Sequence, residues 1–344
     1  MKIGITYNLK DEVTLLSVLN REHNEEYDNI TTIDAICSVL KKSGFETVKL
    51  GSGTDIFDRL RKEEVDFVFN MAEGYYGRNR ESIIPAILEK VSIPYSGSDP
   101  LTLGLTLDKI MSKKIFQFAR IPSPSYSIVR KAEDIDIANN SLQYPMITKP
   151  AWEGSSKGIY NSSRVNDKNE LERNIKLLLK KYPNQPVLVE EYIKGREITV
   201  GVLGNGSPKV LGLMEIINKK SPGKDFFYSL EVKRDWEELV DYQSPPNIQQ
   251  DLDIKIRRLA TLAFREFGCR DIARIDFRIS EYNEPYLLEI NPLPGLSPLY
   301  GDLVIMAKKQ GMAYEELVIA ILNSAFSRYG IKEAEKKAPT EAKL

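Results

Sequence analysis

The chain is poor in the residues that most often advertise chemistry. Only 2 cysteines occur in 344 residues. Cys37 and Cys269 each lie inside an apolar pattern, which reads as buried, reduced thiols rather than a disulfide or a nucleophile. The single histidine, His23, sits in a polar stretch over residues 20–26 and reads as part of a solvated loop. One histidine excludes a zinc site with several His ligands and argues against a His-based triad. No apolar run approaches the ~18 residues that span a bilayer. The opening Met1-Lys2-Ile3-Gly4-Ile5-Thr6-Tyr7 is too short in its apolar part for a signal peptide and reads as a strand. A formal net charge of -1 removes long-range attraction to nucleic acid or an anionic membrane. A Walker A loop and a G-x-G-x-x-G fingerprint after the first strand are both missing. The reduced thiols point to the cytoplasm, and the lack of histidine leaves the chemistry to carboxylates, lysines, arginines and backbone amides.

What is present is a globular composition, 42% hydrophobic and 28% charged, on a length that suits two or three packed domains. The first hundred residues alternate strand candidates (3–7, 47–50, 65–70) with amphipathic helices. Ile33, Ile36, Cys37 and Leu40 mark one helical face, which Gly44 ends. That alternation implies a parallel sheet. A turn-rich segment over 93–100 leaves this unit. One helix is expected over 101–118, carrying Asp108, Lys109, Lys113 and Lys114, and strands at 126–129 and 146–149 follow. The second strand runs into the small-residue loop Pro150-Ala151-Trp152-Glu153-Gly154-Ser155-Ser156-Lys157-Gly158. After a helix near 168–181, strand 187–192 is expected to open a third unit, continued by strands 197–203 and 210–217. A mobile polar loop is expected over 218–234, then a helical stripe through Ile256, Leu259, Ala260, Ala263, Phe264 and Phe267. The resulting division is 1–98, 99–185 and 186–330, with a charged, disordered tail over 331–344.

The most informative feature lies in the last two strands. Side chains alternate along a strand, so Arg274 and Asp276 share one side of Ala273-Arg274-Ile275-Asp276-Phe277. Glu289 and Asn291 likewise share a side of Leu288-Glu289-Ile290-Asn291. If the strands pair as a hairpin across 280–285, the four groups converge. Two carboxylates and an amide oxygen are suitable hard-oxygen ligands for a magnesium ion carrying phosphates. Lys149 with Ser155, Ser156 and Gly158 suggests a phosphate cradle of backbone N–H groups and one cation. The strand–turn–strand Val189-Glu190-Glu191-Tyr192-Ile193…Gly195-Arg196-Glu197 offers backbone groups for a purine edge and a carboxylate for ribose hydroxyls. Alone it reads equally well as a hairpin with a charged turn.

In order, these motifs and Asp108-Lys109, closed by Pro292…Pro294-Gly295, resemble the D-alanine–D-alanine ligase family of the ATP-grasp superfamily. The resemblance covers roughly residues 65–311. It implies an α/β (α+β) fold of three domains, with an N-terminal parallel-sheet domain and ATP between the central and C-terminal domains. It also implies an amide- or peptide-forming reaction through an acyl phosphate, releasing ADP and phosphate. By that pattern Lys109 and Lys149 contact phosphates under a loop carrying Ser155 and Ser156. Glu190 and the backbone of Glu191, Tyr192 and Ile193 meet adenine, and Glu197 the ribose. Asp276, Glu289 and Asn291 hold magnesium, two ions by the family's habit, with manganese an alternative. Arg274 and the Gly295 amide stabilise the developing oxyanion, and Lys233 is the lid's phosphate-contacting lysine. Small carboxylates and amines, amino acids or peptides, are the implied substrates, and a homodimer the implied assembly.

The departures concern the amino-acid half. The family's His-Gly…Gly-Glu-Asp-Gly pattern is replaced by Asn70-Met71-Ala72-Glu73-Gly74-Tyr75-Tyr76-Gly77-Arg78-Asn79-Arg80-Glu81. Its N-terminal Gly-Gly-x-Ser…Glu signature is absent, leaving Glu12, Glu26 or Asp28 as stand-ins for the glutamate. Leu296-Ser297-Pro298-Leu299-Tyr300-Gly301-Asp302 replaces small hydroxyl residues, and an aspartate there would repel a carboxylate. The expectation is therefore a ligase of this family for substrates other than two D-alanines. A D-alanine–D-alanine or D-alanine–D-lactate ligase proper is the alternative, and a nucleotide-binding module without catalysis a third.

Overall fold

The structure, a computed structural model, describes residues 1–11, 22–220 and 226–332. Glu12, residues 221–225 and residues 333–344 of the expected tail lie outside the described residues.

Strands β1 (Lys2–Thr6), β2 (Glu46–Lys49) and β3 (Phe67–Asn70) form a parallel sheet in the order β2-β1-β3. Ile3 and Ile5 of the central strand are fully buried, as expected where both faces are covered. Alternation along β3 sends Phe67 and Phe69 to one face and Val68 to the other. Helix Ile30–Lys42 packs on the first face through Ile33, Ile36 and Leu40. The far end of the chain packs there too, since Phe326 of helix Tyr314–Tyr329 meets Phe67 edge-on at 4.9 Å. The last helices, which the sequence assigns to the third unit, thus complete the core of the first.

The next sheet has the order β4-β7-β5-β6, from β4 (Tyr126–Val129), β5 (Met146–Pro150), β6 (Arg164–Val165) and β7 (Val187–Glu191), all antiparallel. Its core is closed by helix Lys168–Lys181 through Leu171, Ile175 and Leu178. Strand β7 lies between β4 and β5, so it belongs to this sheet and does not open the following one. This corrects the division at 185/186: the chain changes sheets between Glu191 and Gly195.

The third sheet, β10-β9-β8-β11-β12, contains β8 (Gly195–Leu203), β9 (Lys209–Asn218), β10 (Val240–Gln243), β11 (Ile272–Ser280) and β12 (Pro285–Asn291). One face buries Ile198, Val200, Ala273, Ile275 and Phe277 under helix Gln250–Glu266. The opposite face carries the polar set described below. Between 218 and 234 the described part includes a short helix, Leu230–Arg234, with Ser229 accepting from the Val232 N–H at its start. His23 begins a single 3-10 turn, His23–Glu26, where a loop is expected.

The helix expected over 101–118 is two helices, Pro100–Leu107 and Lys109–Phe118. Asp108 breaks it with an extended ψ of 97°. Its Oδ1 accepts from the N–H groups of Ile110 and Met111 at 2.9 and 3.0 Å, the usual way an N-cap satisfies free donors. The break sets Lys109 at a helix start, where its N–H donates to the Ala151 carbonyl. Asp108→Ala should therefore cost about 1–2 kcal/mol of stability. Asp108→Asn, which keeps a cap but loses the Arg78 ion pair, should cost less; urea unfolding of both variants checks the order.

Candidate active site

The polar face of the third sheet is built by register. Arg274 stands opposite Asn291 and Asp276 opposite Glu289 across β11–β12. On the other side Asp276 faces Thr199 and Arg278 faces Glu197 of β8. Side chains of directly opposed residues lie within contact reach, so the hairpin gathers them. A bulge between Asp276 and Phe277 inserts Leu288 without a partner. It lets Leu287 stay in the core while Leu288 and Glu289 both reach the cavity.

The cavity is about 490 Å³ and is walled by the second and third sheets and by segments that follow the strands of the first. Lys109, Lys149, Ser155, Ser156, Glu190, Glu191, Tyr192, Ile193, Glu197, Lys233, Arg274, Asp276, Glu289, Asn291 and Gly295 all line it. The fifteen positions singled out from sequence thus meet in one space. Arg78 is not among the lining residues; it sits half-exposed on Asp108 and over the Trp152 ring.

Within this space the charges are paired. Arg274 donates to both oxygens of Asp276, the shortest at 2.9 Å, and reaches Asp302 at 3.4 Å. The Thr199 hydroxyl donates to Asp276 at 2.5 Å. Asp276 is pushed above the ordinary range by burial, against the pull of Arg274. Glu289 is the reverse case. Burial opposes its charge, but Lys109, Lys149 and Arg274 outweigh burial and hold it at about 2. Lys109 lies 3.4 Å from Glu289 and donates to the Glu153 carbonyl at 2.6 Å. The amide oxygen of Asn291 accepts from the Leu293 N–H.

Glu190 corrects the sequence reading. Its carboxylate is buried between Lys113 at 2.6 Å and Lys149 at 2.5 Å, so the side chain is already paired within the protein. Burial lowers Lys113 to about 8 even with Glu190 beside it. The sequence reading leaves Lys113 as a helix residue, although its i,i+4 spacing from Lys109 puts both on one helical face. Arg278 was also missed. It donates to the Ile193 carbonyl at 2.8 Å, to Tyr192 Oη and to Glu197, fixing the turn between the second and third sheets. Glu197 is raised to about 7 by burial, which Arg278 opposes and Asp276 reinforces.

Two mobile-looking segments are latched together. Ser155 and Ser156 both have positive φ, 52° and 59°, and the Ser156 hydroxyl donates to the Tyr228 carbonyl at 3.2 Å. The Leu230 N–H donates to the Ile159 carbonyl at 2.8 Å. This presents Lys233, which has no ion-pair partner among the described residues and whose pKa is lowered, first by burial and then by Arg274.

Of the three N-terminal acids, Glu26 is already engaged. It accepts from Arg80 at 3.0 and 2.9 Å and from Lys157 at 2.8 Å. Asp28 lines the cavity and is pushed up to about 6 by burial, with Lys10 opposing.

Antiparallel sheets enclosing a cavity rich in lysines and carboxylates, behind a parallel-sheet unit, are the architecture of an ATP-grasp ligase. A family signature described as D-ala D-ala ligase C-terminus matches residues 115–323. A D-alanine–D-alanine ligase of Carboxydothermus hydrogenoformans is 37% identical over 308 residues, covering 87% of this chain and 94% of that one. An uncharacterized protein, y4sG, of Sinorhizobium fredii is 33% identical, covering 86% and 88%. The fold matches that of the Bacillus anthracis D-alanine–D-alanine ligase complexed with ATP, with a TM-score of 0.75 at 24% identity over 96% and 99% of the two chains. The chain belongs to the D-alanine–D-alanine ligase family, and is a ligase of the ATP-grasp type that forms carbon–nitrogen bonds. No helix among the described residues is long and apolar enough to cross a membrane.

Glu26 yields a test of the packing around the site. Burial works against its charge, but Arg80 and Lys157 prevail and hold it at about 2, below the ordinary 4.5. A depressed carboxylate contributes stability above its unfolded pKa and loses it as pH falls through the folded value. Glu26→Gln should cost about 3 kcal/mol at neutral pH, because Arg80 and Lys157 lose a buried counter-charge. The gap from the parent should close as pH drops from about 5 toward 2; thermal unfolding across that range measures it.

Proposed function

We propose that this enzyme activates a substrate carboxylate with ATP and couples the acyl phosphate to an amine, releasing ADP and phosphate. The observation that carries the reading is the cross-strand set Arg274, Asp276, Glu289 and Asn291 sharing one cavity with Lys109, Lys149 and Lys233. Lys149 and Lys109 supply fixed positive charge for phosphate oxygens, and Lys233 has no ion-pair partner among the described residues. Backbone groups of Glu191, Tyr192 and Ile193 would receive the adenine and Glu197 the ribose, on a turn that Arg278 holds rigid. Arg274, held by Asp276 and Asp302, would turn its remaining N–H donors to the oxyanion. Fixed donors of this kind are often the largest catalytic contribution. The Gly295 amide is the second donor of that pair.

The donor set suits a divalent cation. Asp276 and Glu289 are directly opposed carboxylates, and Asn291 adds an amide oxygen, the hard-oxygen chemistry of magnesium or manganese. Bound there, one or two ions would neutralise charge on the transferring phosphoryl group. We place the nucleotide between the second and third sheets and the amino-acid substrates toward Asp28, Glu73 and Asp302. Asp28 is the better candidate than Glu26 for a substrate ammonium, since the Glu26 carboxylate is taken by Arg80 and Lys157. The cytoplasm and a homodimeric state accompany this proposal. A second reading, ligation of D-alanine to D-alanine, is favoured by the names of relatives at 30–37% identity. The carboxylate-rich amino-acid end speaks for other substrates.

Phosphate release with ATP, magnesium and a panel of amino acids and short peptides tests the proposal. Coupled amide products are expected, with turnover by D-alanine alone only if the second reading holds. Asp276→Asn and Glu289→Gln should each lower turnover by about 100-fold or more. Chelation should abolish turnover, and added magnesium or manganese should restore it. Lys233→Ala should raise the KM for ATP about tenfold. Phosphate release without any coupled product would count against the ligase reading, and near-parental rates in Asp276→Asn would remove the metal assignment.

A further inference from the structure

The substrate end of the cavity holds a pair of carboxylates that the chemistry above does not use. Gly74, at φ +75°, makes the approach that creates the pair: a Cβ there would lie 2.3 Å from the Arg80 carbonyl oxygen, so only glycine is tolerated. Its N–H donates to Asn8 Oδ1 at 2.9 Å, pinning the bend to the first sheet unit. Glu73 and Glu81, one on each flank of this contact, both line the cavity. Glu81 is 7% exposed and has no hydrogen-bond or ion-pair partner among the described residues, and Glu73 has none either.

Nearby cations are already engaged. Arg80 is bound to Glu26 and to the Trp152 carbonyl, Lys157 to Glu26 and Glu153, and Lys109 to Glu289 and the Glu153 carbonyl. Burial raises Glu73 well above the ordinary carboxylate range, with Glu81 and then Glu26 adding to it. Burial raises Glu81 to about 7, against Arg80. Burying acids without partners is costly, and such local conflicts concentrate where a ligand completes the arrangement. The α-ammonium that every amino acid carries has Asp28. Glu73 and Glu81 are a further pair, and a cationic side chain can donate to both.

We infer that Glu73 and Glu81 form a subsite for a non-reacting cation, so that one substrate of this ligase is an amino acid with a basic side chain. The inference rests on the ligase reading above, and its test separates the two. ATP-dependent phosphate release would be compared for ornithine, lysine and arginine against norvaline, norleucine and citrulline, in both enantiomers. The basic member of at least one pair should show a kcat/KM about tenfold or more above its neutral counterpart. Glu81→Gln and Glu73→Gln should each cut that ratio by about tenfold. Equal or better turnover of every neutral counterpart overturns the inference while leaving the ligase intact.

If no amino acid supports phosphate release, the ligase reading fails, and binding decides the subsite separately. Ornithine and norvaline would be titrated calorimetrically into the protein with magnesium and a non-hydrolysable ATP analogue. Ornithine binding that norvaline lacks and Glu81→Gln removes supports the subsite; equal or no binding overturns it. Glu81→Gln should also melt at or above the parent temperature, because an unpaired buried acid is removed. A fall in Tm of more than about 4 °C would instead make the carboxylate a structural group and overturn the inference.

Discussion

The register of β8, β11 and β12 is the constraint on which the site depends. Because side chains alternate with a period of two, burying Ile275 and Phe277 in the core obliges Arg274, Asp276 and Arg278 to face the other way. A slip of one residue would bury three charges and expose the core, so packing energy alone fixes the chemistry. The bulge at Leu288 is the only departure in the hairpin's pairing, and it sets Glu289 against Asp276. Catalytic geometry is here a by-product of hydrophobic register, with the polar partners adding fine orientation through Thr199 and Arg274.

Much of this was legible in the sequence because it is local. Period-two alternation around Ala273-Arg274-Ile275-Asp276-Phe277, the helical stripe ending at Gly268 and the parallel alternation of the first unit each follow from neighbouring residues. Features that depend on distant partners were not legible. Strand β7 looks locally like the start of the third unit, yet its hydrogen bonds run to β4 and β5. The last helices pack against Phe67 across most of the chain length. The break at Asp108 was missed for a different reason: an aspartate inside a good helical pattern reads as a solvated face unless its side chain turns to cap the next turn.

The site was legible by residue type more than by pairing. Sequence order names the lysines and carboxylates that line the cavity but not which cation each anion holds. Glu190 is the plainest case. A glutamate at that position suggests a base contact, and only the structure puts its carboxylate between Lys113 and Lys149. Arg80 and Lys157 around Glu26 follow the same logic, with two cations sharing one buried anion.

That recurring arrangement gives the unpaired groups their meaning. Around the cavity, Glu190 and Glu26 are each buried between two cations, and Arg274 is held between Asp276 and Asp302. Such units are balanced internally. Against them, Lys233 on the one hand and Glu73 and Glu81 on the other have no ion-pair partner among the described residues. An unpaired buried acid or base shifts toward its neutral form, and a ligand of opposite charge restores the ionised one. An anionic ligand answers the first imbalance and a cationic one the second. The two imbalances thus divide the cavity into a phosphate end and a basic-side-chain end without reference to any relative.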